Sequence, residues 1–237
     1  MHVLYLYIPR RLSLNMSNYN VPLDLETKNS LSLIISRIKE NSTILEFGPA
    51  NGRLTRHLKE QMNCKVYCVE LDEKSAKDAE PYAEKMLVDS IENYTWCKEF
   101  SETKFDYIIF ADVLEHLYSP KQVLEKSKLF LKDKGSILLS IPNVAHNAVI
   151  MDLLQGKFTY RSTGLLDETH IRFFTKTTLD EMIDEVGFFS VYKTATFVPP
   201  RETEFAYSYS EFDTSISKYL EKLPNGEVYQ FIYELSI

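Results

Sequence analysis

The chain has no apolar stretch of 18 residues, no block of basic residues, no internal repeat and no low-complexity segment. Without such an apolar stretch, no membrane-spanning helix is expected. Without a basic block nothing grips a phosphate backbone, so no nucleic-acid partner is suggested. The balance of 34 acidic against 27 basic residues, a net charge of −7, reads as ordinary solubility. Cysteine is scarce. Cys64, Cys68 and Cys97 are odd in number and lack metal-ligand spacing, which argues against a disulfide framework and for reduced thiols in a cytoplasmic protein. The apolar run Val3 to Ile8 is too short for a signal peptide, and Arg10 and Arg11 follow it instead of preceding it. Residues 1–20 are read as an N-terminal extension, either packed as an edge segment or preceding a start at Met16.

What is present is enough for one globular domain. A chain of 237 residues with 44% hydrophobic content can bury a full core, and it is short for two domains. Short β-rich runs alternate with helical ones, the signature of a parallel sheet with crossover helices. Strands are expected at 43–47, 65–70, 86–88, 105–111 and 136–141, and two more near 188–197 and 227–235. Helices are expected at 25–39, 53–62, 73–83, 119–131 and 177–186. Lys134-Gly135 reads as the stop of the fourth of these, and Thr178 with Glu181 as a capping box for the fifth, closed by Gly187. Residues 143–174 break the alternation and read as an insertion after the fifth strand.

Three features point to a ligand. The run from Ile44 to Gly52 (ILEFGPANG) carries a strand through a glycine-bounded turn into a helix, where the backbone can turn sharply and the helix N-terminus favours an anionic group. Glu70 ends the second strand 22 residues after Gly48, close to the roughly 20-residue offset at which a carboxylate meets ribose hydroxyls in dinucleotide-type folds. Asp89 follows the third strand, as a partner for an exocyclic amine or as a loop cap. A nicotinamide fingerprint needs Gly-x-Gly-x-x-Gly, whereas Ala50 and Arg53 stand at the second and third positions here.

In order, ILEFGPANG, VELD (69–72), LVDSIEN (87–93) and FDYIIFADVLEHL (105–117) resemble the successive motifs of class I S-adenosylmethionine-dependent methyltransferases, over roughly residues 40–195. The resemblance implies a Rossmann-like α/β fold: a seven-stranded, mostly parallel sheet, helices on both faces and one antiparallel strand at the C-terminal end. It also implies S-adenosylmethionine as cofactor. Glu46, Gly48 and Gly52 would hold its methionine end with Asn51 near the carboxylate. Glu70 would take the ribose, Asp89 and Ile91 would frame the adenine, and Asp112 and Val113 would flank the methyl group.

His116, just past the fourth strand, suits a general base near neutral pH, or it shapes the site. The insertion adds Asn143, His146, Asp167, His170 and Arg172, flanked by Phe158, Tyr160, Phe173 and Phe174. It resembles a subgroup of these enzymes associated with polysaccharide and other sugar-linked biosynthesis, which implies a small-molecule or glycan-type acceptor. In that reading His170 is a second candidate base and Asn143, His146, Asp167 and Arg172 bind the acceptor; alternatively Asp167, His170 and Arg172 anchor the insertion. His116, His146 and His170 show no compact metal-ligand spacing, which argues against a metal and leaves one as the alternative reading. The expected activity is methyl transfer to an oxygen; a non-catalytic protein that kept the cofactor fold is the alternative.

Overall fold

A computed structural model describes residues 23–237; the expectations for residues 1–20 lie outside the described residues. Seven strands form one sheet: β1 (Thr43–Phe47), β2 (Lys65–Glu70), β3 (Lys85–Val88), β4 (Phe105–Ala111), β5 (Leu131–Pro142), β6 (Phe189–Phe197) and β7 (Val228–Ser236). Their order is β3-β2-β1-β4-β5-β7-β6. The first five pair in parallel, and β7 pairs antiparallel with both β5 and β6. The last strand of the chain therefore wedges between β5 and β6 instead of capping an edge. It can do so because its middle residues, Phe231 to Leu235, are buried as an interior strand requires.

Alternation along the strands separates two cores. Leu45 and Phe47 of β1 face one side, where they join Trp96 of α4 (Thr95–Glu99), Val123 and Leu124 of α5 (Pro120–Ser127), and Leu179, Ile183 and Val186 of α7 (Lys176–Val186). Ile44 faces the other side, against Leu31 and Ile34 of α1 (Ser30–Ile35) and Leu54 and Leu58 of α2 (Arg53–Glu60). Helix α3 (Glu73–Ala79) links β2 to β3.

Four local expectations shift. Helix α1 is shorter than 25–39, because Asn29 and Ser32 form a capping box that starts it late. Helix α5 ends at Ser127, and the chain is already extended at Leu131, which pairs with Phe105. Gly135 is thus not a helix stop. It lies in β5 beside a register shift, where a Cβ would come 2.7 Å from the Phe105 carbonyl oxygen. The cap of α7 is Thr175 with Thr178, one turn before the expected pair, while Gly187 closes the helix at φ 75° as expected.

The 143–174 segment leaves and returns at one place, since Asn143 bridges Phe174 in parallel. It contains α6 (Asn147–Leu154) and packs through Ala148, Val149, Leu165 and Leu166 on Phe205, forming a small third core. A second irregular stretch separates β6 from β7 and holds α8 (Thr214–Leu220). Among the described residues, no helix is long and apolar enough to cross a membrane.

Candidate active site

The strand order reverses between β1 and β4, and open α/β sheets bind ligands at such a point, beyond the carboxyl ends of the strands. Backbone strain collects there. Ala50, after β1, has φ 50°, and Asp112, after β4, has φ 54°; both are left-handed conformations that non-glycine residues seldom adopt.

The Gly48–Gly52 turn is built for close approach. Gly48 has φ 65°, and a Cβ on it would lie 3.0 Å from Val113 Cγ2. Gly52 caps α2 at φ 78°, and a Cβ there would meet Ala79 Cα at 2.6 Å. Backbone amides gather on Glu70, which is buried: Ala50 N–H donates to its Oε2 (3.0 Å) and Asp72 N–H to its Oε1 (2.9 Å). Burial raises its pKa against these donors. Glu46, 2% exposed, accepts from Thr55 Oγ1 (2.7 Å), and burial lifts its carboxyl to about 7. A turn whose two glycines have no room for a Cβ, between two buried carboxyls, fits a ligand with a cationic end and a diol.

Asp89 accepts from Ser90 N–H (2.8 Å), Asn93 Nδ2 (2.7 Å) and Thr95 Oγ1 (2.5 Å), so it ties its own loop together. Ile91 is buried and its carbonyl takes the Trp96 indole N–H at 2.8 Å. Asp112 is clamped from far along the chain. Ser140 Oγ donates to its Oδ1 (2.8 Å), and Gln230 Nε2 reaches both carboxylate oxygens at 2.8 and 2.9 Å.

A short 3₁₀ turn, Leu114–His116, follows Asp112. Residues Ile171 and Arg172 both donate their amides to the Glu115 carbonyl (3.0 and 2.9 Å), which docks the end of the insertion on this turn. His116 and His170 meet there with ring centroids 4.8 Å apart. His116 Nδ1 lies 3.2 Å from the Thr169 carbonyl, and the Thr169 hydroxyl donates to Asp167 (2.6 Å). A carbonyl can only accept, so Nδ1 carries the proton. His170 Nδ1 likewise points to the Leu165 carbonyl at 3.3 Å. In each ring Nε2 keeps its lone pair. Burial lowers the pKa of both, that of His170 to about 4 with the neighbouring His116 adding to the effect. Glu115, 1% exposed, has no hydrogen-bond partner on either carboxylate oxygen, and burial holds its carboxyl well above the usual range. An unsatisfied buried polar group costs about 1–3 kcal/mol, more when charged.

The structure thus draws Glu46, Gly48, Asn51, Gly52, Glu70, Asp89, Ile91, Asp112 and Val113 to one edge of the sheet. It adds His116 and His170 beside that edge. Asn143 and His146 are fully buried with saturated partners. Asn143 donates to the Val228 carbonyl (2.9 Å), and His146 Nε2 faces the Val198 carbonyl (2.8 Å) while its Nδ1 accepts from Ala148 N–H (3.1 Å). The Arg172 guanidinium is exposed and donates to the Tyr118 carbonyl (2.7 and 3.1 Å). Sequence reasoning passed over Glu115, though it adjoins His116; the signal was an acid next to a candidate histidine in a post-strand turn. Nothing local marked Thr169 or Gln230. A groove lined by Ile150, Leu154, Ile216 and Leu220 lies elsewhere, between α6 and α8, and brings no carboxylate, histidine or cysteine together.

The family described as methyltransferase domain matches residues 24–192, well over half of the chain. The chain belongs to that family. By family and fold it is a class I, S-adenosylmethionine-dependent methyltransferase. No curated protein matches it by sequence. Among solved structures it resembles a SAM-dependent methyltransferase from Archaeoglobus fulgidus (17% identity, 86% of this chain and 90% of that one, TM-score 0.61). It also resembles the cyclopropane synthase MmaA2 from Mycobacterium tuberculosis (12%, 90% and 88%, 0.58). A third is magnesium protoporphyrin IX methyltransferase from Synechocystis with bound SAH (13%, 86% and 78%, 0.55). Enzymes this different share the methyltransferase's fold, so the fold carries no acceptor.

The position of Glu70 makes one prediction specific. As a ribose partner it would form charge-assisted bonds, and its loss should then weaken S-adenosylmethionine binding by about 1.5–3 kcal/mol. Because Glu70 also holds Ala50 N–H and Asp72 N–H, Glu70→Ala should lower the melting temperature too. Calorimetry and thermal unfolding of that variant check both; parent-like affinity removes the ribose assignment.

Proposed function

We propose that this methyltransferase moves a methyl group from S-adenosylmethionine to an oxygen of a small hydroxylated, sugar-type acceptor. The observation that carries the proposal is the pair His116 and His170, each presenting a free Nε2, next to Asp112 at the end of β4. Bound at the β1–β4 edge, the cofactor supplies a sulfonium-activated methyl group.

The protein's own residues orient and prepare. Glu46, Gly48, Asn51 and Gly52 receive the methionine end, Glu70 the ribose, and Asp89 and Ile91 the adenine. Asp112, held by Ser140 and Gln230, and Val113 wall the methyl group. Phe158, Tyr160 and Phe173 run edge to face, 5.5 and 5.7 Å apart, up to His170, and give a sugar ring a surface to stack on. Asp167 acts through Thr169 to hold His116, and Arg172 clamps the loop at Tyr118. Asn143 and His146 brace the insertion. An imidazole with a free lone pair readies a hydroxyl by taking its proton or by holding a cation that acidifies it. Which of the two applies turns on Glu115.

Calorimetry should show saturable binding of S-adenosylmethionine and S-adenosylhomocysteine and none of NADH. Methyl-tritiated cofactor offered with pooled hydroxylated metabolites and nucleotide sugars should label an oxygen. Label on nitrogen or carbon overturns the acceptor class. Binding with no turnover on any pool favours the non-catalytic alternative.

A further inference from the structure

We propose that Glu115, His116 and His170 form a binding site for one divalent transition-metal cation. One nitrogen of each ring and one Glu115 oxygen lie within 4.8 Å of one another, and His170 Nε2 is 4.0 Å from Glu115 Oε1. Two ligands each ~2.0–2.2 Å from one ion stand at most ~4.4 Å apart, so small side-chain rotations close the set.

Three independent features point the same way. Glu115 is buried to 1% exposure with both oxygens unpartnered, an arrangement that a polar core tolerates only when something else satisfies the group. Each imidazole donates its Nδ1–H to a backbone carbonyl, Thr169 for His116 and Leu165 for His170, which is how metal-ligating histidines are oriented from behind. The three groups come from two segments that the Ile171 and Arg172 amides pin together, so the set is rigid at its base.

Two nitrogens and one carboxylate leave coordination positions open. Imidazole donors select zinc, copper, iron or nickel over magnesium and calcium, which prefer oxygen throughout. The site rests on the proposed function: an acceptor hydroxyl taking an open position would bind the cation and lose its proton to solvent as the oxygen takes the methyl group and the carbon–sulfur bond breaks toward sulfur. His116 and His170 then act as ligands and not as bases.

The test uses the full chain with ZnCl₂ as probe, MgCl₂ as comparison, and calorimetry with metal analysis after dialysis. The expected result is one zinc per chain, weakened at least ~10-fold in Glu115→Gln and in His170→Ala, and unchanged in the control His57→Ala. Glu115→Gln preserves shape, so it decides the matter if His170→Ala fails to fold. Absence of a saturable zinc site, equal zinc affinity in Glu115→Gln, or tighter magnesium than zinc would each overturn the proposal. Failure of the methyltransferase reading shows separately, as absence of S-adenosylhomocysteine binding by the parent protein whatever zinc does.

Discussion

His116→Ala should lower the rate of methyl transfer by about 10²–10⁴-fold while leaving cofactor affinity essentially unchanged. Its imidazole follows β4, whereas the adenosine contacts proposed above come from the loops after β1, β2 and β3. Burial lowers its pKa, so the ring is neutral near pH 7 with Nε2 available either as base or as ligand. His170→Ala should lose rate as well, and in addition stability. His170 is 7% exposed, reaches back to the Leu165 carbonyl and packs edge-on against both His116 and Phe173. Melting temperature, cofactor affinity and turnover measured on the same two proteins separate the roles. A purely structural histidine moves the melting temperature and spares the rate of the molecules that remain folded. Parent-like turnover in both variants would remove histidine from the chemistry and leave positioning alone, which can itself supply roughly 7–11 kcal/mol.

Glu46 supplies the second large effect, and its sign is counter to the usual carboxylate. Its pKa rises from 4.5 to about 7 on folding, chiefly through burial. Between those values the native state holds a proton that the unfolded chain has released, so stability falls as pH rises through this window. The shift corresponds to about 3 kcal/mol, present in full below pH 4.5 and lost above pH 7. Glu46→Gln keeps an acceptor for Thr55 and cannot ionise. Urea unfolding should therefore find the variant more stable than the parent at pH 8, by up to about 3 kcal/mol, and nearly equal to it at pH 4.5. The same change should weaken S-adenosylmethionine binding, because the amide cannot offset the charge of the methionine ammonium. Stability forfeited for binding is the expected mark of a functional carboxylate. Parallel stability curves for the two proteins from pH 4.5 to 8 would sink the assignment.

Much of the cofactor edge was legible in the residue order. Strand-turn-helix at Thr43–Glu60 is written locally: a short β-branched and apolar run, then glycines at 48 and 52, then an amphipathic octet with Leu54 and Leu58 inward. Glu70 at the end of β2 and Asp112 just after β4 stand at matching places in the same βα rhythm. The acceptor side was legible only as a concentration of polar residues. Asn143, His146, Asp167, His170 and Arg172 look alike in sequence. Yet two are fully buried braces, one works through Thr169, one meets His116, and one clamps a carbonyl.

From sequence alone, then, came the α/β class, five successive β-α units with a parallel pattern and the glycine-bounded turn, because hydrophobic period and glycine placement act over a few residues. Tertiary structure alone decided three things. It placed β7 between β5 and β6, which lets Gln230 reach Asp112 across 118 positions of chain. It made Gly135 a strand residue, since the Phe105 carbonyl it must clear lies in another strand. And it brought His170 to Glu115 and His116, more than 50 residues away along the chain, in one largely buried cluster. Such contacts depend on how separate elements dock and on which buried polar atoms are left without partners, and neither quantity has a period along the chain.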